Sequence, residues 1–385
     1  MVQAIPHAEY PTYSPSQLGD ILKTKAILLT GLPVQADIFE GAMRSLNRFL
    51  DASIICNDQS IEMGPTGTER HRKTTIQEII DISKSPNAKA VNCLDFPGPL
   101  PAEVPLALDD SLDRVCYSAT WDMDRPRKTA DMAALTWSIA ATPSTWHHLH
   151  VDTNGFGTTA VPTFGKKLWA LLRRKGDPSA SRPIDWSDTL DGVNNKVLDS
   201  EEYEASYAIL EPGTALVMPG GCPHMVFTLD DSTVFSGSHF YHGRCLRRHM
   251  FNLVITAALP DSTNTTHDEC AISIIGNVLK MIRKACLKPE AIPDSMWNHL
   301  PNVRTEEGMK DALVLCVVAR LLPVIFHRLH ESKDELHAIS DDALKFAKQI
   351  KASERHRFST PARRDLDFFD DVYEVYLQRV LSVYV

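Results

Sequence analysis

The central part of the chain, residues 135–242, constrains the fold most, because short apolar or alternating segments are separated there by turn residues. The segments read LTWSIAAT, HHLHVDT, GTTAVPTF, KKLWALLR, YAILEPGTALVMPGG, HMVFTL and TVFSGSHFYH. Their lengths suit strands better than helices, and Gly, Pro and Asp residues lie between them. Many short strands at regular spacing predict an antiparallel sandwich or barrel.

Helical patterns flank this central part. SPSQLGDILKT and DIFEGAMRSLNRFLD predict short helices near the N-terminus, and KAILLTGLPV between them predicts a buried strand that ends at Gly31. After about residue 266 the pattern is helical to the end, and Thr266 and Glu269 have the spacing of a capping box. ALVLCVVARLLPVIF (312–326) predicts a buried helix that Pro323 kinks, and FFDDVYEVYLQRVLSV predicts a last helix.

These patterns together predict an α+β protein, in which a β-barrel carries N-terminal helices and strands and a C-terminal helical region. We place a mixed α/β region that packs on the barrel at 1–110, the barrel at 111–255 and the helical region at 256–385. A chain of 385 residues exceeds the usual size of one domain, which agrees with a core that has such additions. The proline-rich stretch 91–108 predicts an extended connection, and 174–196 predicts a long exposed insertion.

Charge and cysteine content narrow the function classes. A formal net charge of −9 argues against broad contact with phosphates, so we expect no direct nucleic-acid binding, whereas a basic protein partner is compatible. The eight cysteines are scattered and form no CxxC motif, which favours reduced, buried thiols in an intracellular protein of the nucleus or cytoplasm. The most apolar segment contains Arg320 and is shorter than the ~20 residues that a bilayer requires, so no membrane span is predicted.

The stretch TWHHLHVDTNGF (145–156) contains a candidate metal site. Side chains two residues apart on a strand share a face, so His150 and Asp152 are expected to point together into the barrel. EPGTALVMPGGCPHMVF then returns the chain across the sheet to His224. Two histidines and one carboxylate form the facial triad of non-haem Fe(II) oxygenases, which leaves metal positions open. A structural zinc site at Cys222 and His224 is disfavoured, because two further cysteines at partner spacing are missing.

The stretch FGKKLW contains a candidate anion site. On a strand, Lys167 and Trp169 share one face while Lys166 takes the other. An inward lysine is costly to bury unless an anion meets it. A dicarboxylate beside the metal would be such an anion.

The order WHHLHVDTNGFGT, FGKKLW, ILEPGTALVMPGGCPHMVF and SGSHFYH resembles the JmjC domain of the cupin superfamily over residues 135–245. The resemblance implies a double-stranded β-helix, also called a jelly-roll or cupin barrel, that binds Fe(II) and 2-oxoglutarate and uses O₂ to oxidise a C–H bond. By position, His150, Asp152 and His224 match the metal ligands, and Lys167 matches the lysine that binds the cosubstrate.

One position departs from the family pattern. Many members have a threonine three residues before the first ligand, where its hydroxyl binds the cosubstrate, and this chain has His147 there. We expect Thr145 to take that cofactor-binding role, with the hydroxyls of 158–159 as alternatives. A further polar contact to the cosubstrate is expected on the strand after His224, and its candidates are His239, Ser236 and Ser238.

The resemblance therefore implies an Fe(II)- and 2-oxoglutarate-dependent dioxygenase that hydroxylates a protein substrate or demethylates N-methyl-lysine, as in histones. Two alternatives stay open. One is a catalytically inactive cupin-fold binding protein, which the missing threonine favours; the other is a different metal-dependent cupin enzyme, such as an isomerase, in which Lys167 binds a sugar phosphate. The expected partner is a protein or peptide, compatible with a basic one, and the C-terminal helices are a candidate homodimer surface.

Overall fold

The structure, a computed structural model, describes residues 2–34, 38–46, 49–61, 70–85, 88–93, 135–175, 203–229, 231–259, 262–263, 266–292, 294–329 and 332–354. These residues form a mixed α+β protein with two large sheets, in agreement with the predicted class. The predicted connection after Cys93, the insertion beyond residue 175 and the last predicted helix lie outside the described residues.

Along the chain, short strands and helices alternate first, eight consecutive strands follow among the described residues, and the long helices come last. The strands are β1 Val2–Pro6, β2 Ala26–Thr30, β3 Ser53–Asp58, β4 His71–Thr75, β5 Val91–Cys93, β6 Thr136–Ala141, β7 Trp146–His150, β8 Gly157–Phe164, β9 Lys167–Arg174, β10 Tyr203–Leu210, β11 Thr214–Met218, β12 His224–Thr228 and β13 Thr233–Phe240. The helices are α1 Pro15–Leu22, α2 Phe39–Leu46, α3 Ile76–Ser83, α4 Leu246–Ala258, α5 Asp268–Leu287, α6 Asp294–Trp297, α7 Glu306–Ile325 and α8 Lys333–Glu354.

The strands form a nine-stranded sheet in the order β1-β2-β11-β8-β13-β6-β5-β3-β4 and a four-stranded sheet in the order β10-β9-β12-β7. From β6 to β13 the antiparallel pairs are nested: β6 pairs with β13, β7 with β12, β8 with β11 and β9 with β10. Buried side chains from both sheets, among them Trp169, Leu171, Leu216 and Phe235, meet in one apolar cluster. The two sheets therefore enclose a common core.

The N-terminal strands extend the larger sheet at both ends. β2 pairs with β11 on one side, and β5 pairs with β6 on the other. β2 ends at Thr30 and Gly31 follows with a φ of 80°, as predicted. α2 and α3 pack on this extension through Phe39, Ile76 and Ile79, so the N-terminal part shares a sheet with the central strands.

The C-terminal helices form a second, larger apolar cluster. Leu253 of α4, Ile275 of α5, Leu315 of α7 and Phe346 of α8 are all buried in it. Pro323 lies inside α7, whose central residues are buried, which confirms the predicted buried helix. In the part of the chain that the structure describes, no helix has both the length and the apolar character needed to cross a membrane.

The start of α5 differs from the prediction. The helix begins at Asp268 after His267, so Thr266 is not its N-cap and the expected capping box is wrong. Asn154, far away in sequence, takes this place instead: its Oδ1 accepts a hydrogen bond from the His267 N–H at 3.0 Å, and its Nδ2 donates to Asp268 at 2.9 Å. A tertiary contact thus replaces the local cap.

The thiol prediction holds for the described cysteines. Cys56, Cys93, Cys222, Cys245 and Cys316 form no disulfide bond and are buried; Cys270 is also buried, and Cys286 is half-buried. Cys116 lies outside the described residues.

Candidate metal centre

The strand pairing brings three potential ligands together. β7 and β12 are antiparallel neighbours in the smaller sheet, and His224 lies directly opposite His150. Their ring centroids are 4.2 Å apart, and Asp152 follows β7 by two residues. One ligand atom from each of these three side chains lies within 4.8 Å of the others, which is compact enough for one metal ion.

Backbone carbonyls orient both imidazoles. Nδ1 of His150 lies 2.8 Å from the carbonyl oxygen of His148, and Nδ1 of His224 lies 2.9 Å from that of Cys222. Because a carbonyl can only accept, Nδ1 carries the proton in each ring and Nε2 keeps a free lone pair. Such a contact fixes the tautomer of a metal-binding histidine. Burial also lowers the pKa of His150 to about 4, so its ring is neutral at neutral pH.

The Asp152 carboxylate lies in a network of polar groups. Thr158 on β8 donates its hydroxyl hydrogen to Oδ2 of Asp152 at 2.5 Å. The same hydroxyl lies 2.9 Å from Nδ1 of His239 on β13. Burial opposes ionisation of Asp152, but the neighbouring His224, His239 and His150 and the Thr158 hydroxyl outweigh it and hold the pKa of Asp152 below its usual value. The carboxylate is therefore ionised at neutral pH.

Lys167 supplies a buried cation on the same sheet as His150 and His224. It begins β9, is 0% exposed, and its Nζ makes no hydrogen bond with any described residue. Its ammonium lies 5.4 Å from the ring centroid of Phe235, and burial lowers the pKa of Lys167 to about 7. Lys166, in contrast, forms an exposed ion pair with Glu211 at 2.7 Å. Alternation along β9 thus turns Lys167 inward and Lys166 outward.

His147 also points into the interior, because the pairing of β7 with β12 is irregular. The register shifts between His224 and Val226, so that Val226 lies opposite His147. The rings of His147 and His150 are 6.2 Å apart, and Nε2 of His147 lies 2.5 Å from Nδ2 of Asn92 on β5. Burial, reinforced by the positive charge of Lys167, holds the pKa of His147 well below its usual value.

The other polar side chains that the sequence suggests as cosubstrate contacts bond to different partners in the structure. Oγ1 of Thr145 is 2.7 Å from Oγ1 of Thr228 and 3.1 Å from the carbonyl oxygen of Thr142. Ser236 lies 2.9 Å from Ser138 on β6. His239, three residues after Ser236, takes the other face of β13 and contacts Thr158.

The contact of Asn92 with His147 is not predictable from the sequence. Asn92 lies in the three-residue strand β5, and VNC matches no motif that would single it out. Its contact with His147 depends on the pairing of β5 with the larger sheet. The Thr158 link to Asp152 was likewise not predicted, although the 158–159 hydroxyls were considered for another role.

The residues fit the groups that the motifs imply. Two imidazoles with free Nε2 atoms and one ionised carboxylate are the mixed nitrogen and oxygen ligands that suit Fe(II) with open positions. A buried ammonium without a partner among the described residues is the group that a carboxylate would neutralise.

Sequence comparison finds a short similarity to two curated nematode proteins. A stretch of 97 residues is 29% identical to the "JmjC domain-containing histone demethylation protein 1" of Caenorhabditis briggsae, and the same holds for the protein of that name from Caenorhabditis elegans. The stretch covers 25% of this chain and 9% of each relative, so the chain matches only a small part of their length. No protein-family model matches the sequence. The similarity supports a distant relation to JmjC proteins and nothing finer.

Proposed function

We propose that this chain is an Fe(II)- and 2-oxoglutarate-dependent oxygenase of the JmjC type. The observation that carries the proposal is that a candidate metal-ligand cluster and a buried lysine belong to the same part of the fold. His150, Asp152 and His224 form a compact three-ligand cluster, and Lys167, which belongs to the same smaller sheet, is buried without a partner among the described residues. A metal ion and a dianionic cosubstrate together would satisfy both features.

The strand order supports a double-stranded β-helix for 136–240. Eight consecutive strands with nested pairs, the first with the last and so on inward, have the order of a jelly roll. His150 and His224 lie on the second and seventh strands of this series. Their direct pairing therefore follows from the proposed fold.

His150 and His224 would bind the iron through Nε2, and Asp152 would supply the third ligand. Bound Fe(II) and 2-oxoglutarate supply the oxidising chemistry, in which O₂ is consumed, a C–H bond is hydroxylated and the cosubstrate becomes succinate and CO₂. Lys167 would bind the far carboxylate of the cosubstrate. Trp169, stacked on His224 at 5.2 Å between centroids, and Phe235 would exclude water from this region.

A binding protein without turnover is the second candidate, and His147 is the observation that favours it. This imidazole occupies an interior position where the resembling family has a smaller hydroxyl side chain. It would reduce the room beside Lys167. Turnover of 2-oxoglutarate separates the two candidates.

We further propose that the substrate is a protein or peptide, in agreement with the histone demethylation that the names of the relatives state. The net charge of −9 favours a basic peptide, and a nuclear location would suit a histone. Hydroxylation of an N-methyl group releases formaldehyde, so the same cluster serves hydroxylation and demethylation. A homodimer through the C-terminal helices stays a prediction.

The test is anaerobic loading with Fe(II) and 2-oxoglutarate, followed by addition of O₂ and measurement of succinate. We expect succinate from the unaltered protein and none from Asp152→Ala, with far-UV circular dichroism unchanged. Lys166→Ala, at an exposed neighbour of the cluster, is the control and should keep turnover. Equal succinate from the Asp152→Ala variant would overturn the proposed function.

A further inference from the structure

We propose that Thr158 is a positioning residue that restricts Asp152 to binding the metal through one oxygen, and that His239 holds Thr158 in place. The inference rests on the proposed metal site at His150, Asp152 and His224. It assigns a function to two buried side chains, Thr158 at 2% and His239 at 7% exposure, that are not themselves potential ligands in the cluster.

The number of hydrogens fixes the direction of both hydrogen bonds. The Thr158 hydroxyl has a single hydrogen, and a carboxylate that binds a metal ion can only accept. Thr158 therefore donates to Oδ2 of Asp152 at 2.5 Å. Its oxygen is then the acceptor for His239, whose Nδ1 must carry a proton at 2.9 Å. The chain of donors runs from His239 through Thr158 to Asp152.

The sheet holds this chain of donors in place. Thr158 on β8 lies directly opposite His239 on β13 and opposite Met218 on β11, so it belongs to a central strand of the larger sheet. Asp152 lies between β7 and β8, outside both strands. The Thr158 hydroxyl therefore anchors a loop carboxylate to the rigid sheet.

Three aromatic side chains surround the His239 ring and restrict its rotation. Its centroid lies 5.1 Å from that of His267, 6.0 Å from that of Phe156 and 6.3 Å from that of Trp137. A donor fixed in this way keeps the Thr158 hydroxyl directed at Asp152. Residues that hydrogen-bond a metal ligand in this way, as Thr158 does for Asp152, tune the affinity of the site for its metal.

The consequence concerns the number of open metal positions. A carboxylate can bind a metal through one oxygen or through both. With Oδ2 engaged by Thr158, Oδ1 is the atom left for the metal. Two imidazoles and one oxygen leave three positions of an octahedron open, which is the number that a chelating 2-oxo acid and O₂ require. Binding through both oxygens would remove one of them.

The test replaces Thr158 in the full chain and reads out metal binding with Co(II) without O₂. Thr158→Val keeps the shape and removes the donor, Thr158→Ser keeps the donor, and Thr159→Val is the matched control. Thr159 is the next residue and faces the side of β8 away from Asp152, so of the two hydroxyls considered for the cosubstrate it is the one directed away from the proposed metal site. Its buried hydroxyl has no partner among the described residues.

We expect Thr158→Val to bind Co(II) roughly 10- to 100-fold more weakly. We also expect its visible Co(II) spectrum to respond less to added 2-oxoglutarate, whereas Thr158→Ser and Thr159→Val should resemble the unaltered protein. If Thr158→Val does not fold, Thr158→Ala serves the same purpose. Unchanged Co(II) affinity and spectral response in the donorless variant would overturn the positioning role alone. Failure of the unaltered protein to bind Co(II) would overturn the metal site and this inference with it.

Discussion

Replacement of Lys167 by methionine should stabilise the protein without cosubstrate while weakening cosubstrate binding. The lysine is fully buried, and its ammonium has no partner among the described residues. Burial lowers its pKa from 10.5 to about 7. At pH 7 this shift of the folded-state pKa costs the folded protein about 4 kcal/mol, because one pKa unit corresponds to about 1.4 kcal/mol.

The pH dependence has a definite sign. The folded-state pKa of Lys167 is lowered, so between pH 7 and 10.5 the unfolded chain binds more protons than the folded one. The free energy of unfolding of the unaltered protein should therefore rise with pH across this window, relative to that of Lys167→Met. The difference in free energy of unfolding between Lys167→Met and the unaltered protein should be largest below pH 7, and it should vanish above pH 10.5.

The assay is denaturant unfolding without metal or cosubstrate at several pH values, with Lys166→Met as the control. Lys166 is exposed and paired with Glu211, so its replacement should change stability by less than about 1 kcal/mol. A Lys167→Met variant that is less stable than the unaltered protein at pH 7 would refute the reasoning, because it would mean that the ammonium is well paired. In turnover assays, loss of the Lys167 charge should raise the 2-oxoglutarate concentration needed by roughly 100-fold or more, given about 3 kcal/mol for breaking a buried pair.

Three further predictions follow from the site and the loop beside it. His150→Ala should abolish Fe(II)-dependent succinate production with the fold retained, and normal turnover would remove it from the ligand set. His147→Thr, which supplies the hydroxyl that the resembling family has at this position, should lower the apparent KM for 2-oxoglutarate relative to His147→Ala, whereas equal KM values would show that this position does not contact the cosubstrate. Gly155→Ala should lower the free energy of unfolding by more than about 2 kcal/mol, because φ is 71° and the new Cβ would lie 2.0 Å from the carbonyl oxygen of His249. Gly31→Ala is the control, since this residue also has a positive φ but lies in open space, and it should lower the free energy of unfolding by only about 1 kcal/mol. Equal losses for the two variants in denaturant unfolding would contradict this prediction.

Much of the local structure was predictable because it depends on neighbouring residues. The period of two on β9 turns Lys167 inward and Lys166 outward, as expected. Ser14 caps α1 within the predicted first helix, and the apolar run 312–326 lies almost entirely within the buried helix α7. Where local signals were weak, the prediction was wrong: Thr266 does not cap α5, because Asn154 bonds to the start of that helix instead.

The sequence by itself determined which side chains could form the cluster, since the HxD spacing on a strand and the return of the chain to His224 depend on local patterns. Only the tertiary structure decided what surrounds them. Asn92 on the larger sheet reaches His147 on the smaller one, a register shift turns His147 inward, and His239 supports Thr158 from the neighbouring strand. These contacts join residues that are between 55 and 81 positions apart. Strand register sets such contacts through the packing of a whole sheet, and no short stretch of sequence contains that information.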